Sequence, residues 1–125
     1  MKRLGIALAL LAAVSLMAPP AAQADTILLL NAATSSQDSP WYSLDGYTKA
    51  SVQISSVGGA GVGTVSFQWR NTPSDSPVEI VAVSNPTSGG RGFVGPGKGY
   101  VRVSASAPYG SISSGTFNAT LVRTK

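Results

Sequence analysis

The sequence predicts an all-β protein, an antiparallel β-sandwich or jelly-roll-like module of six to seven strands. Apolar residues recur at every second position in several short segments, which is the period of a strand with one buried face. Turn-forming Gly, Pro, Asn and Ser residues separate these segments at the spacing of an all-β domain. No segment keeps a helical period. Two facing sheets would bury every alternate side chain, and a small closed barrel is the alternative architecture.

The first 24 residues have the pattern of a cleavable secretory signal peptide. Lys2 and Arg3 precede an Ala- and Leu-rich apolar run, and an A-x-A cleavage site ends at Ala24. The apolar run is shorter than the roughly 20 residues that a membrane-spanning helix needs. We therefore expect cleavage after Ala24, a single domain over residues 25–125 with no membrane span, and a secreted or periplasmic location in a bacterium.

The clearest predicted strand has Val65, Phe67 and Trp69 alternating with polar residues. Two segments, Ile27–Leu30 and Val78–Val83, are more continuously apolar, which predicts cover on both faces. The first of them is also expected to pair with another chain if it lies at a sheet edge. In chain order, the predicted strands are Thr26–Ala32, Lys49–Ser56, Gly63–Arg70, Val78–Ser84, Gly99–Ala107 and Thr116–Arg123, with a further short one at Gly92–Val94.

The predicted connections are rich in turn formers. Residues 34–46 form a long polar stretch, which we interpret as a solvated loop, with contact to a neighbouring molecule as the alternative. Residues 108–115 are predicted to form a turn. The glycine-rich segments 89–92 and 95–99 look like phosphate-binding loops, but neither precedes a helix whose N-terminus would complete an anion site. Both are therefore predicted to be hairpin turns.

The chain has no histidine and no cysteine. This composition removes the commonest general base, the commonest zinc ligands, the thiolate nucleophile and any disulfide. A catalytic pair of serine and lysine would need a buried lysine, whereas Lys49 and Lys98 lie in polar contexts close to turns. These observations predict a protein that is not an enzyme and that uses no cofactor.

Few carboxylates are available for chemistry. Glycoside hydrolysis uses two carboxylates that flank the sugar bond, and Asp45, Asp75 and Glu79 are the candidates. The two aspartates lie in turn sequences, where Asp accepts hydrogen bonds from nearby backbone. Asp38 and Asp45 are the candidates for calcium, but the chain has no tightly spaced run of acidic ligands. We predict neither a glycosidase site nor a metal site.

The charge of the chain argues against a nucleic-acid partner. Two of the nine basic residues lie in the predicted signal peptide, which leaves seven basic residues against five acidic ones. This surplus is too small, and the acids are too scattered, for a surface that follows phosphates. Low charge with abundant Ser, Thr and Gly predicts a neutral polar surface that meets other protein or glycan surfaces.

Aromatic residues are the best candidates for a binding surface, because protein partners and sugars both use rigid rings with a polar edge. Trp41 and Tyr42 follow Pro40 outside any strong strand pattern. Together with Tyr109, they are the predicted ligand- or partner-binding residues. Trp69 shares the apolar side of its strand and is predicted to belong to the core.

The order of several features points to a family. The chain has a Leu-rich first strand, a glycine-punctuated strand that ends in an aromatic residue and a charged turn, and then Tyr100–Ala105, Ser114–Thr116 and a last strand. This order resembles small β-sandwich proteins of tailed phages and prophages, of the decoration or tail-accessory kind. The resemblance implies a module that attaches to a capsid or tail surface and does no chemistry. The signal peptide is an addition to that family's pattern.

The predicted function is that of a secreted, non-enzymatic structural or protein-binding module in an extracytoplasmic or phage-related assembly. Its partner would be a protein surface, or a second copy of the chain joined through sheet edges. The alternative is a carbohydrate-binding or adhesion domain that holds a glycan through Trp41 and Tyr42. A small glycosidase or an inhibitor is the third class. No nucleic-acid partner is expected.

Overall fold

The computed structural model describes residues 24–95 and 97–125, and in this part of the chain all helical or extended regular structure is β-strand. The predicted signal peptide lies outside the described residues except for Ala24. The strands are β1 Ala24–Ala33, β2 Tyr42–Ser43, β3 Lys49–Ser56, β4 Val62–Arg70, β5 Val78–Ser84, β6 Arg91–Gly95, β7 Tyr100–Ser104, β8 Ser111–Ser114 and β9 Phe117–Thr124.

The strands form two antiparallel sheets. The four-stranded sheet has the order β1-β9-β3-β6, and the five-stranded sheet has the order β2-β7-β4-β5 with β8 paired to β4. Strands β7 and β8 pair with successive parts of one edge of β4, since Ser66 faces Ser104 whereas Thr64 faces Ser111. The all-β class is confirmed, with nine strands in the described residues instead of six to seven.

The bounds of the six long predicted strands agree with the structure to within three residues. Strands β3 and β5 have the predicted bounds, and the short strand expected at Gly92–Val94 is β6. Strands β2 and β8 were not predicted, and β8 lies in the segment predicted to be a turn. With Ile112 as its one buried apolar side chain, β8 has no period to read. Its pairing with β4 defines it instead.

A hydrophobic core lies between the sheets. Its side chains come from alternate positions of the strands, as the two-residue period predicts: in β3, Val52 and Ile54 are buried while Ser51 and Gln53 are exposed. Burial of each large apolar side chain contributes roughly 1.5–3 kcal/mol. The fully buried large apolar side chains are Leu30, Leu44, Val52, Ile54, Val65, Phe67, Val83, Val101, Val103, Phe117 and Leu121.

The two segments predicted to be covered on both faces are covered on one only. Leu28 in β1 is 55 % exposed, and Val78 and Ile80 in β5 are 53 % and 40 % exposed. Both strands lie at sheet edges, and no described layer packs outside either sheet. Cover on both faces needs such outer layers, so this prediction is wrong. Strand β1 was expected to pair with another chain if it lay at a sheet edge, and it does lie at an edge.

Residues 34–46, predicted to form a solvated loop, follow the free edge of β7 instead. Tyr42 pairs with Val101, and Asp38 pairs with Ser104 in an isolated bridge. Between these two pairs, the edge segment advances by four residues and β7 by three, so one extra residue bulges from the edge. The buried members of this segment are Ser39 and Leu44.

Candidate functional site

The outer face of the five-stranded sheet carries a cluster of polar and charged side chains around Trp41. Trp41 belongs to the bulged segment beside β7, and its ring lies against the guanidinium groups of Arg70 on β4 and Arg102 on β7. Their Cζ atoms are 4.2 and 4.7 Å from the ring centroid, which is within the range of cation–π attraction. We call Trp41, Arg70, Arg102, Gln68 and Asp38 the Trp41 cluster.

The acidic member of the Trp41 cluster is Asp38. Its carboxylate accepts hydrogen bonds from the hydroxyls of Ser104 at 2.6 Å and Ser106 at 2.7 Å, and its Oδ2 lies 3.7 Å from Nη1 of Arg102. Burial raises the pKa of Asp38, but the two hydroxyl donors and the charge of Arg102 outweigh burial and hold the pKa below its ordinary value. Asp38 is therefore ionised at neutral pH and balances the charge of Arg102.

Gln68 occupies a strand position that faces away from the core, yet it is 0 % exposed. Its Oε1 accepts a hydrogen bond from Nε of Arg102 at 2.8 Å, whereas its Nε2 is buried with no acceptor among the described residues. Nε of Arg70 is likewise buried without an acceptor there. The cluster therefore has more buried donors than acceptors, which costs free energy unless another group supplies an acceptor.

Arg70 has no carboxylate within ion-pair distance in the described part of the chain, which contains all five acidic residues. Its guanidinium group lies against the Trp41 ring and, at 5.7 Å, near the Tyr100 ring. On the same face, the carboxylate of Glu79 accepts a hydrogen bond from the Ser66 hydroxyl at 2.9 Å. Arg70 is thus a half-buried cation whose charge no described side chain neutralises.

The three predicted binding residues lie in different environments. Trp41 belongs to the cluster described above. Tyr42 follows it in the chain but packs against the hydrophobic core. Tyr109 is half-buried in the turn between β7 and β8, where its backbone N–H donates to the carbonyl of Ser106 at 2.9 Å. Tyr42 and Tyr109 therefore lie outside the Trp41 cluster, and the roles of all three residues in binding stay predictions.

A second polar site is a pocket of about 480 Å³ at one end of the protein, which we call the end pocket. It combines two aromatic rings with an amide, a carboxylate and an ammonium group. Nε1 of Trp69, which packs against the core as predicted, donates to the Lys98 carbonyl at the pocket wall at 2.6 Å. The polar and aromatic residues that line the end pocket are Ser43, Asp45, Tyr47, Asn71, Lys98 and Tyr100.

Arg123 links the last strand to the start of β1 and to β2. Its Nη2 donates to Oδ2 of Asp25 at 3.1 Å, and its Nη1 donates to the carbonyl of Ser43 at 2.8 Å. The Tyr47 ring lies 4.4 Å from its Cζ, and the Tyr47 hydroxyl donates to the same oxygen of Asp25. This network holds the segment after the predicted cleavage site against the sheet.

The outer face of the four-stranded sheet differs from the Trp41 cluster in having no charge across its middle. Two cross-strand rows run over it, and Val94 and Leu28 are 83 % and 55 % exposed within them. We call these rows the uncharged face. Its members are Thr26, Val122, Ser51 and Val94 in one row, and Leu28, Thr120, Gln53 and Gly92 in the other.

Among the residues considered for chemistry, Asp75 closes a turn and the two lysines are exposed. The backbone N–H of Asp75 donates to the Thr72 carbonyl at 3.1 Å, and its carboxylate accepts from the Thr72 N–H at 2.9 Å, which is the predicted turn. Lys49 and Lys98 are exposed, as predicted. Within residues 24–95 and 97–125, no group of three or more His, Cys, Asp or Glu side chains is placed to hold a metal ion. A helix suited to crossing a membrane was not found among them.

The crystal structure of the SPBc2 prophage-derived protein YomS superimposes on this chain with a TM-score of 0.65. The two proteins share a fold. The match covers 87 % of this chain and 99 % of YomS, at 12 % sequence identity. At this identity, the likeness establishes the fold and leaves function to be argued from the site. No protein-family model matches the chain, and no curated protein matches it.

The pairing of β4 with β7 explains why Trp41 could be singled out from the sequence whereas its partners could not. Arg70 and Arg102 occupy polar positions of alternating strands, which is an ordinary place for a solvated charge. They become neighbours because Gln68 faces Arg102 in the pairing of β4 with β7. The one available signal was an arginine at a polar position of each of two different strands, and this pattern does not reveal their register.

Proposed function

We propose that this protein is exported, catalyses no reaction and acts as a structural or protein-binding module in an extracytoplasmic or phage-related assembly. The observation that carries the proposal is the Trp41 cluster. Tryptophan and arginine are the residues that most often dominate binding energy at protein interfaces. Here the two types are stacked on the outer face of a sheet, with Arg70 left without a carboxylate partner in the described residues.

Two further observations support the proposal. The likeness to YomS extends over 99 % of that prophage-derived protein, so the comparison leaves almost none of it unmatched. This support is an analogy at the level of the fold. The second is the edge position of β1, whose unpaired backbone groups and exposed Leu28 suit association with another chain.

The alternative function is carbohydrate binding, and the end pocket is the observation that favours it. Tyr47 and Tyr100 supply rings on which a sugar can stack, and Asp45 and Asn71 supply polar groups for its hydroxyls. In this alternative, the binding residues differ from Trp41 and Tyr42, since the Trp41 ring is already in contact with two guanidinium groups.

The test is to express the full precursor in a bacterium, fractionate the cells and determine the N-terminus of the product by mass spectrometry. We expect a chain that begins at Asp25 in an extracytoplasmic fraction and that sediments with an envelope or particle assembly. Trp41→Ala should release it from that assembly, whereas Trp69→Phe, a matched change in the core, should not.

The other outcomes separate the candidates. The protein could instead be a free monomer that binds a glycan on an array, with binding lost in the Tyr100→Ala variant. This outcome would replace the structural function by the carbohydrate-binding one. An uncleaved product in the cytoplasm or membrane would overturn export. Sedimentation that is unchanged in Trp41→Ala would show that the module attaches through another surface.

A further inference from the structure

We propose that the Trp41 cluster binds a carboxylate side chain of a protein partner, with Arg70 as the residue that holds it. The inference rests on the proposed protein-binding function and names the chemistry of the partner. It follows from four features of the cluster: the free charge of Arg70, its unpaired Nη donors, the fixed position of the guanidinium group and the low net charge around it.

The first feature is the charge of Arg70, for which the described chain provides no counterion. Three of the five carboxylates already have partners: Asp38 pairs with Arg102, Asp25 pairs with Arg123, and Glu79 accepts a hydrogen bond from the Ser66 hydroxyl. Asp75 closes its own turn, and Asp45 lines the end pocket. A carboxylate that reaches Arg70 must therefore come from another molecule.

The second feature is the surplus of donors. Nε2 of Gln68 and Nε of Arg70 are buried without acceptors among the described residues. Arginine has five N–H donors and no acceptor, while an ionised carboxylate is an acceptor only and can take two parallel bonds from one guanidinium group. Those two buried atoms are closed to an outside group, so the donors that a carboxylate can reach are the Nη groups of Arg70, which have no hydrogen-bond partner among the described residues.

The third feature is that Arg70 is already held in place. Its guanidinium group lies 4.2 Å from the Trp41 ring centroid and 5.7 Å from that of Tyr100. Trp41 is itself held in an edge segment that is hydrogen-bonded to β7, through Ser39 and the Val103 carbonyl at 2.9 Å. An arginine that is fixed before binding loses less rotamer freedom when it forms the complex.

The fourth feature is the low net charge of the face, which decides between classes of partner. The two guanidinium groups share this face with the carboxylates of Asp38 and Glu79. A polyanion such as a nucleic acid or a sulfated glycan needs an extended surplus of positive charge, which is missing here. A single carboxylate placed beside an indole ring requires only one free guanidinium group, and a protein segment can present both a carboxylate and apolar neighbours.

The experiment uses the chain from Asp25 onward with Trp69→Phe, so that Trp41 is the one remaining tryptophan. Its fluorescence is followed while a glycine-rich peptide that carries one glutamate is added, with the same peptide carrying glutamine in its place as the neutral probe. We expect a saturable change with the glutamate peptide that weakens as salt is added. Arg70→Met should weaken binding by about tenfold or more, and Arg70→Lys should restore part of it.

The matched control is Arg91→Met, because Arg91 also lies against an aromatic ring, that of Phe93 at 5.5 Å, but on the other sheet. Binding should be unchanged in this variant. Equal binding of the neutral peptide, or no effect of Arg70→Met in a protein with wild-type circular dichroism, would overturn the inference. Binding of a sulfated glycan without binding of the peptide would also overturn it.

Failure of this inference can be distinguished from failure of the proposed function. If Arg70→Met leaves the chain in its assembly while Trp41→Ala releases it, the protein-binding function stands and the acidic partner is wrong. If neither variant is released, the surface named under the proposed function is wrong as well. Release of both variants supports the two together.

Discussion

Nη2 of Arg123 donates to Oδ2 of Asp25 at 3.1 Å, and this bond joins the last strand to the residue that is predicted to begin the processed chain. The Tyr47 hydroxyl donates to the same oxygen. That hydrogen bond, with the nearby charges of Arg123 and Lys125, lowers the pKa of Asp25 and outweighs the opposing effect of desolvation. The start of β1 is therefore held by a carboxylate whose ionised form is stabilised in the folded protein.

The first prediction concerns the pH dependence of this contact. The pKa of Asp25 is near 4 in the unfolded state and lower in the folded state. Ionised Asp25 therefore stabilises the fold above about pH 4. This stabilisation is lost as the pH falls through the folded-state pKa. Asp25→Asn should lower the melting temperature at pH 7 and leave it close to wild type at strongly acidic pH. A constant difference at all pH values would contradict the prediction.

The second prediction concerns Asp38. Asp38→Ala removes the acceptor of the Ser104 hydroxyl, which is fully buried, so we expect a loss of about 1–3 kcal/mol in the free energy of unfolding. Asp38→Asn keeps an acceptor oxygen and should lose less. Urea unfolding measures both variants. Because the pKa of Asp38 is also lowered on folding, the deficit of Asp38→Asn should shrink as the pH falls below about 4.

The third prediction tests the pairing of β8 with β4. Gly63 has φ +155°, and a Cβ atom there would collide with the Ser111 carbonyl oxygen. Gly58 also has a positive φ, +74°, but a Cβ atom there would meet nothing within 4 Å. Gly58→Ala should therefore cost only backbone strain, about 1–2 kcal/mol. Gly63→Ala should cost about 1–3 kcal/mol more, measured by chemical unfolding, because β8 must move.

The fourth prediction tests association through the edge of β1. The chain that begins at Asp25 should self-associate at high concentration, and Leu28→Lys should reduce this because charged side chains block edge pairing. Val57→Lys is the matched control, since Val57 is 54 % exposed but lies between β3 and β4. Light scattering measures the mass. A wild-type protein that is strictly monomeric, or an equal effect of both variants, would count against edge pairing.

The strands could be placed from the sequence because the alternation of side chains along a strand is a local property of the backbone. Strand β3 shows this clearly: Val52 and Ile54 alternate with polar residues in the sequence, and both are buried. The all-β class follows from several such segments. Strand β2 could not be found in this way, since two residues, Tyr42 and Ser43, are too few to show a period.

The candidate site was predictable in part. Trp41 was singled out because it is an aromatic residue outside a strong strand pattern, and this much is visible in the sequence. Its contacts with Arg70 and Arg102 depend on the β-bulge beside β7 and on the pairing of β7 with β4. The sequence alone therefore indicated Trp41. Only the tertiary structure showed that Arg70, Arg102 and the buried amide of Gln68 lie beside it.

Local chain geometry thus determined the fold class, the positions of the long strands and the turn at Asp75. The tertiary structure decided which strands lie at the edges, why Leu28 and Ile80 remain exposed, and which polar side chains meet on one face. The physical reason is that the side-chain period belongs to each strand, whereas sheet order and register depend on how whole apolar faces are buried together.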